Sequence, residues 1–546
     1  MSPASVLSGA SSWCVVHGDC IDTMRSMSDN CVDAIVTDAP YGLTKITTKD
    51  VTEALECWLA GSPYLKGKRG FMGRTWDRFV PGPEVWRECC RILKPGGYLL
   101  TFAGTRTEDL MGISLRLAGF ELLDTIQWLY GQGMPKSVNM ERLVAMHQCT
   151  LPGRHCASTL PRKPQPNDHL CPSTEESKQW SGQGSGLRPS HEPIFVCRKP
   201  LEGTYAENAL EHGTGTINID ACRIAHASEE DFEQHRSGVD AIRSRGGEMG
   251  NSWKNASDLS GANEVASGRW PPNVLIQHAP GCRLVGTQSV AANPTWDTPN
   301  RDTQPSSFTG DRISKVRHTN GRENEASGDK SYAAEGGTSF AFRPGERRDQ
   351  ASEDVDVWEC VDGCPAKALG DRARYFPQFA SDESAVYYHA KPGRTEKDAG
   401  LQHFRTRSAA EATSRKDGQE SLNNARAGAG RTGGARNVHP TSKSVEVIRW
   451  LTRLVARPGQ VVFNPFAGGG SEGIAALREG CRWIGCELND TEEEPFVSIA
   501  IARLTHEEGG EFVPRESLRE ERTEETTSQP SQPRQMTLFE AAGGTI

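Results

Sequence analysis

The sequence lacks an apolar run long enough to cross a membrane, and no apolar segment of the secretory type stands near its first residue. These absences lead us to expect a soluble, cytoplasmic protein. Apolar residues are also scarce: they make up 36% of 546 residues, and the mean hydropathy is −0.57. Because so few apolar residues cannot pack the whole chain, we expect one catalytic domain of roughly 250 to 300 residues with loop-rich inserted material.

An excess of positive charge is missing as well, since the formal net charge is −9. Taken alone, this sum argues against a nucleic-acid partner. However, lysine and arginine are frequent across residues 391–443, whereas glutamate dominates residues 507–525. Local charge decides contact with phosphate, so the basic stretch is consistent with either a phosphate-contacting segment or a solvated linker. The sixteen cysteines are expected as thiols or metal ligands, since nothing here indicates an oxidising compartment.

A short stretch, Asp38-Ala39-Pro40-Tyr41, directly follows the apolar run Val32–Thr37. The run is typical of a buried strand, which places the tetrapeptide at a strand's carboxyl end, where open α/β sheets bind ligands. Asp38 offers a carboxylate acceptor, Ala39 a carbonyl next to the rigid Pro40, and Tyr41 a flat ring. These groups could orient a conjugated amine. A plain strand-end turn is the alternative.

A second candidate site lies more than four hundred residues further on. In the stretch Val461-Val462-Phe463-Asn464-Pro465-Phe466-Ala467-Gly468-Gly469-Gly470-Ser471, a short apolar strand is predicted to run into a glycine turn, and a helix is predicted after this turn. A second strand over Arg482–Glu487 then ends in a carboxylate. Glycines let the backbone approach a ligand closely, and an acid at this distance suits a ribose diol. The glycine spacing differs from the dinucleotide fingerprint, which disfavours a nicotinamide cofactor.

Together, the two motifs resemble those of the β-class amino (N6-adenine/N4-cytosine) DNA methyltransferases. That family has D-P-P-Y for catalysis and D/N-P-F-x-G-x-G for S-adenosylmethionine, and the β-class order puts the catalytic motif first, as here. Further matches are Gly18-Asp19-Cys20, Leu93-Lys94-Pro95-Gly96-Gly97 and the segment from Asn437 to Lys443. Ala39 departs from the pattern, because the family has a proline at that position.

The resemblance implies roles for individual residues. Asp38, Ala39, Pro40 and Tyr41 would be catalytic, and the predicted S-adenosylmethionine ligands are Asp19, Asn464, Phe466, Gly468, Gly470 and Glu487. From local sequence alone, Asp19 could equally be a helix cap. The substrate would be a base flipped out of DNA, in a bacterial or phage-infected cell.

The target base is expected to be adenine, methylated at N6, because Asp is usual at the first motif position of adenine enzymes. Cytosine N4 methylation fits the same geometry. Three other possibilities stay open: a methyltransferase of the same fold that acts on RNA or on a protein amide, a DNA-binding relative weakened by Ala39, and a nucleotide-binding protein that does not methylate.

The predicted fold is α/β, a Rossmann-like methyltransferase sheet in circularly permuted order, with a long inserted recognition region and disordered segments. The predicted division is a catalytic half at 12–199 with a polar insert at 151–190, a target-recognition region at 200–392, a flexible basic linker at 393–436, a cofactor-binding half at 437–505 and a disordered acidic tail at 506–546.

Two ligand pairs within the recognition region suggest a metal site. They are His278 with Cys282 and Cys360 with Cys364, each in a turn-rich segment. Tetrahedral zinc takes four nitrogen or sulfur ligands, and a small insert without its own core would gain from such a link. Unrelated thiols are the alternative, since the spacing within each pair is one residue longer than is common.

Near the end of the chain, Gln535-Met536-Thr537-Leu538-Phe539 resembles the Q-x-x-L-F peptide that binds the bacterial sliding clamp. An incidental amphipathic end is the alternative. The oligomeric state cannot be predicted from the sequence.

Overall fold

The computed structural model describes residues 2–66, 70, 75–130, 137–148, 173–224, 270–278, 282–291, 352–360, 364–369, 376, 378–379, 394–408, 435–510 and 512. Its strands are β1 (Trp13–His17), β2 (Val32–Thr37), β3 (Leu93–Phe102), β4 (Glu121–Tyr130), β5 (His191–Arg198), β6 (Val274–Gln277), β7 (Arg283–Ala291), β8 (Ser352–Glu359), β9 (Gln378–Phe379), β10 (Val461–Asn464) and β11 (Arg482–Glu487). Its α-helices are α1 (Pro3–Leu7), α2 (Cys20–Arg25), α3 (Thr48–Leu59), α4 (Pro83–Ile92), α5 (Glu108–Leu117), α6 (Met140–His147), α7 (Glu175–Lys178), α8 (Tyr205–His212), α9 (Pro365–Leu369), α10 (Arg394–Asp398), α11 (Val445–Val455), α12 (Ser471–Arg478) and α13 (Phe496–Glu507).

Nine of these strands form one sheet, in the order β1-β11-β10-β2-β3-β5-β4-β6-β9. All neighbours pair in parallel except that β5 is antiparallel to both β3 and β4. Helices alternate with the strands, which confirms the predicted α/β class. The strand before the glycine turn, β10, comes late in the chain but lies beside β2 in the middle of the sheet. The circular permutation inferred from motif order stays a prediction.

The central strand β2 is buried along its whole length, because helices cover both faces of the sheet. Ala34 and Val36 belong to one apolar cluster, and Ile35 belongs to the cluster on the opposite face. Asp33 is buried too, and its carboxylate accepts from the Val461 amide at 2.7 Å and pairs with Lys94 at 2.6 Å. Polar contacts therefore fix β2 against β10 at the end of the strands opposite the two motifs.

The first part of the predicted recognition region packs on the nine-stranded sheet. Helix α8 contacts β3, and the short 3-10 helix Asp220–Cys222 contacts α11. The Asn218 amide donates to the Leu454 carbonyl at 2.8 Å, and the Arg457 side chain donates to the Gly213 carbonyl at 2.8 Å. This segment thus contacts both halves of the chain, and the domain division itself stays a prediction.

Further along the same region, two short strands extend the main sheet. β6 pairs in parallel with β4, and β9 pairs with β6. A separate antiparallel ribbon is formed by β7 and β8. None of the helices in the described part of the chain combines the length and apolar character that crossing a membrane requires.

Candidate functional site

Three neighbouring strands end at one edge of the sheet, and each delivers one of the sequence motifs. The tetrapeptide follows β2, the glycine turn follows β10, and Glu487 is the last residue of β11. A cavity of about 160 Å³ opens between them. Its walls include the predicted site residues Asp19, Asp38, Ala39, Pro40, Tyr41, Phe466, Gly468 and Glu487.

Two predicted cofactor ligands, Asn464 and Gly470, do not line this cavity and instead support the turn. The fully buried Asn464 accepts a hydrogen bond from the Thr37 hydroxyl at 2.8 Å and one from the Phe466 amide at 2.9 Å. Gly470 has φ +75°, and a Cβ there would lie 3.1 Å from Ala500. Their contribution to a cofactor site is therefore to shape the loop that carries the cavity wall.

The glycine turn is closed by the acidic residue at the end of β11. The Glu487 carboxylate accepts from the Gly468 amide at 2.8 Å and from the Asn489 amide at 2.9 Å. Burial raises the pKa of Glu487, and these amides oppose the rise. Gly468 has φ +50°, and a Cβ on it would lie 2.7 Å from Nε2 of His439, another cavity residue. Only glycine combines this conformation with this close approach.

Asp19 is both a helix cap and a cavity residue. Its carboxylate accepts from the Ile21 amide at 2.8 Å at the start of α2, which confirms the capping alternative. The same residue borders the cavity. Its contact with a cofactor stays a prediction.

The tetrapeptide is held rigidly at its tyrosine. Tyr41 is 9% exposed, and its hydroxyl donates to Glu192 Oε2 at 2.6 Å. The Tyr41 carbonyl accepts from the Thr107 hydroxyl at 2.6 Å, while the next two amides, of Gly42 and Leu43, donate to the buried Asp77 carboxylate at 2.8 and 3.1 Å. Four hydrogen bonds therefore fix the loop that carries Asp38.

A buried lysine, for which the sequence predicted no role, lies against the tetrapeptide. Lys443 Nζ lies 3.1 Å from Asp38 Oδ1 and 3.0 Å from Glu192 Oε2, and it stands 4.9 Å from the centroid of the Tyr41 ring. Burial disfavours its ammonium form, but Asp38 and Glu192 outweigh burial and raise the Lys443 pKa. In the sequence, Glu192 and Lys443 lie in the segments His191-Glu192-Pro193 and Ser442-Lys443-Ser444. Neither segment shows which side chain the lysine contacts.

Another buried acid beside the cavity is Glu472, in the first turn of α12. Burial, followed by the nearby charge of Asp38, raises its pKa to about 8. The folded protein thus keeps a proton on Glu472 at pH values where the unfolded chain has released it. This proton uptake lowers the unfolding free energy progressively as the pH rises from about 4.5 to 8.

We therefore expect the Tm of Glu472→Gln minus the Tm of the wild type to increase as the pH rises from 5 to 8. The relative gain in Tm should exceed about 2 °C. Differential scanning calorimetry of both proteins at the two pH values measures it. Glu479→Gln, at the other end of the same helix, is the matched control: hydrogen bonds from Arg453 and Arg449 outweigh burial and lower the Glu479 pKa, so its effect should be equal at both pH values. An equal effect of Glu472→Gln at pH 5 and 8 would contradict the assignment.

The four predicted metal ligands also come together in the structure. His278 follows β6, Cys282 precedes β7, Cys360 follows β8 and Cys364 precedes α9, and their ligand atoms all lie within 4.8 Å of one another. His278 Nδ1 is 3.4 Å from Cys360 Sγ and 3.5 Å from Cys364 Sγ. Zinc bonds of about 2.0 to 2.3 Å in a tetrahedron separate neighbouring ligand atoms by about 3.4 to 3.8 Å. Both distances from His278 Nδ1 fall within this range, so the cluster is a candidate metal site.

Some predictions fall on residues outside the described part of the chain. They are the clamp-binding peptide at Gln535–Phe539, most of the basic linker at 393–436, and nearly all of the acidic tail at 506–546. Each stays a prediction.

Comparison with known proteins gives a family match over most of the chain. Residues 32–498 match the DNA methylase family of N6- and N4-methyltransferases. The type II methyltransferase M.HindIII of Haemophilus influenzae is 22% identical over 223 residues, a match that covers 38% of this chain and 64% of that relative. The chain thus spans less than two thirds of the length of this curated relative.

Solved structures resemble the chain at low similarity. One is a protein of Thermus thermophilus in complex with S-adenosyl-L-methionine, at 13% identity and a TM-score of 0.30, with 90% of this chain and 95% of that chain covered. Another is the cytosine-N4-specific PvuII DNA methyltransferase, at 9% identity and a TM-score of 0.34, with 90% and 86% covered.

Proposed function

Because the chain belongs to the DNA methylase family of N6- and N4-methyltransferases, we propose that it transfers a methyl group from S-adenosylmethionine to the exocyclic amine of a base in DNA. The observation that carries this proposal is the shared cavity. Asp38, the amine-binding candidate, and Gly468, in the cofactor turn, line one space although 430 residues separate them in the sequence.

The cavity fits S-adenosylmethionine in two respects. The glycine turn leaves room beside His439 that any Cβ would fill, and the Glu487 carboxylate stands at the end of β11 where a ribose diol would meet it. When bound, the cofactor supplies the electrophilic methyl group. Asp19, Phe466, Gly468 and Glu487 would hold it, and Asn464 and Gly470 would shape the turn.

The role of the tetrapeptide is to bind and orient the amine. The Asp38 carboxylate and the Ala39 carbonyl accept its two N–H groups, so that the nitrogen lone pair is directed out of the base plane towards the methyl group. As nitrogen attacks, it gains positive charge, which a fixed carboxylate stabilises. Tyr41 would stack on the base, which must leave the duplex at a cost of a few kcal/mol. Ala39 retains the carbonyl that this role needs.

We propose adenine N6 as the acceptor, since Asp38 stands at the first motif position. Mass spectrometry of nucleosides tests this, using DNA from cells without methyltransferases of their own that express the full chain. N6-methyladenine is the expected product. Detection of N4-methylcytosine would leave the proposed mechanism in place and change the acceptor base to cytosine. If no modified DNA base were found, the DNA substrate would be overturned, and RNA, a protein amide or a silent binding protein would be favoured. A DNA substrate would place the protein in the cytoplasm.

We also propose that His278, Cys282, Cys360 and Cys364 hold a structural zinc ion. The supporting observation is that three thiols and one imidazole, drawn from the two segments 278–282 and 360–364, bring their ligand atoms within 4.8 Å of one another. Such an ion would tie the base of the β7–β8 ribbon to the sheet edge at β6. It would take no part in methyl transfer, because none of its ligands lines the cavity.

Elemental analysis of the purified chain should find one zinc per molecule, and Cys364→Ser should lose at least most of it and unfold at lower temperature. The matched control is Cys222→Ser, another buried thiol, which lies outside the cluster and should retain the metal. A zinc-free wild type purified without chelator, or a Cys364→Ser variant with full zinc content, would refute the site.

A further inference from the structure

We propose that Lys443 and Glu192 are positioning residues of the methyl-transfer site, which hold Asp38 as an oriented carboxylate and Tyr41 as an oriented ring. This inference rests on the proposed function and assigns roles to two residues outside the catalytic tetrapeptide.

The first argument is the contact geometry. Lys443 precedes α11 in the cofactor-binding half, Glu192 lies on β5, and Asp38 follows β2, yet the lysine Nζ is 3.1 Å from Asp38 and 3.0 Å from Glu192. The Lys443 and Glu192 side chains are each only 4% exposed. An ion pair removed from water in this way is fixed in position, unlike a surface pair.

The second argument concerns the charge of Asp38. Burial raises the pKa of this carboxyl, the neighbouring Glu192 adds to the rise, and Lys443 opposes it. A protonated Asp38 would have no negative charge and one oxygen that donates, so it would accept from a substrate N–H and the lysine more weakly and mainly through its carbonyl oxygen. Lys443 therefore keeps Asp38 in the form that binds an amine.

Among the described residues, four titratable groups face Asp38 from the elements packed around it. They are Lys443, Glu192, the Tyr41 hydroxyl on its own loop, and Glu472 on α12. Glu472 carries a proton at neutral pH because its pKa is about 8, and burial raises the pKa of Tyr41 far above neutrality. Lys443 thus lies between the Asp38 and Glu192 carboxyl groups, in contact with both.

The third argument concerns the aromatic ring. The Tyr41 hydroxyl donates to Glu192 Oε2, the same oxygen that faces Lys443, and the ammonium lies over the ring at 4.9 Å from its centroid. The ring is held at its hydroxyl and covered on one face. A flipped base would have to stack on the other face. The position of the ring would then determine where the amine of that base meets Asp38.

The test is the pH dependence of methyl transfer by the full chain on duplex DNA, measured as kcat/KM. The acid limb of this profile reports protonation of Asp38. Lys443→Met should move the limb to higher pH by about one unit or more, since a cation within 4 Å is lost. Glu192→Gln should move it to lower pH, because a neighbouring negative charge is removed. Lys443→Arg, which keeps the charge, should leave the limb near its wild-type position.

If Lys443 and Glu192 had a purely structural role, Lys443→Met and Glu192→Gln would lower the activity without moving the acid limb. That result would overturn the proposal. Lys94→Met is the matched control. It breaks the ion pair between Lys94 and Asp33 on β2, and it should leave the acid limb at the wild-type pH. Binding of S-adenosylmethionine, measured by calorimetry, confirms that each variant is folded. A wild type that binds the cofactor but methylates nothing would overturn the proposed function itself, whereas an active wild type with unmoved variants would overturn only these two roles.

Discussion

Asp38→Ala is expected to lower the rate of DNA methylation by about 10²- to 10³-fold or more while S-adenosylmethionine still binds. The reason is that, in the proposed mechanism, the Asp38 carboxylate accepts from the substrate amine and stabilises the positive charge that develops on the attacking nitrogen. The measurement is the single-turnover rate with purified protein and DNA, together with calorimetric titration of the cofactor.

Removal of Asp38 also leaves Lys443 with Glu192 as its remaining ion-pair partner, so Asp38→Asn serves as the second variant. It keeps the shape of the side chain and removes only its charge. Asp124→Asn, an exposed aspartate on β4, is the control for a generic loss of negative charge and should keep the wild-type rate. An Asp38→Asn variant that retains wild-type turnover would show that this carboxylate is not part of the chemistry.

The second large effect is expected at the glycine turn, where Gly468→Ala should weaken S-adenosylmethionine binding by at least about tenfold. The new Cβ would lie 2.7 Å from His439 Nε2. The histidine cannot easily give way, because its ring packs edge-on against Phe496 at 4.6 Å between centroids. Either the turn or the ring must move, and both line the cavity. Calorimetric titration gives the dissociation constant.

The control for this substitution is Gly459→Ala. Gly459 also has a positive φ, +84°, but a Cβ there meets nothing within 4 Å. Both variants carry the backbone strain of alanine in this region, whereas only Gly468→Ala adds the collision. Equal affinities in the two variants would mean that the close approach at Gly468 does not shape the cofactor site.

The strands that carry the motifs could be predicted from the sequence, because each is a short apolar run that ends at a turn. The bounds Val32–Thr37 and Arg482–Glu487 agree with β2 and β11. The segment Leu93 to Gly97, which the sequence indicated only as a family match, is part of β3, and the pairing of β3 with β2 shifts register between Val32 and Ala34. Glycines and a proline in a strand hide it from a propensity argument.

The edge of the sheet could not be predicted. β6 has four residues and β9 has two, so neither has a period that a pattern could reveal, and they join the sheet only because the chain returns to β4. The predicted zinc ligands are the part of this region that the sequence did indicate, since their residue types are unusual at such close spacing.

The contacts around Asp38 were equally invisible in the sequence. Lys443 and Glu192 each lie in a recognisable segment, but their meeting depends on β2, β5 and the loop before α11 converging in space. No local pattern encodes a contact between residues so far apart. Asp19 is the opposite case. Its role as a helix cap could be predicted from the local sequence, whereas its position at the cavity follows from the fold.

The most direct test of the central claim is transfer of a labelled methyl group by the purified full chain. The protein is incubated with duplex DNA of mixed sequence and S-adenosylmethionine that carries a trideuterated methyl group, and the nucleosides are analysed by mass spectrometry. The account predicts trideuteromethyl label on the exocyclic amine of a DNA base, adenine N6 foremost, that disappears with Asp38→Ala. Unlabelled DNA from a protein shown to bind the cofactor would contradict it.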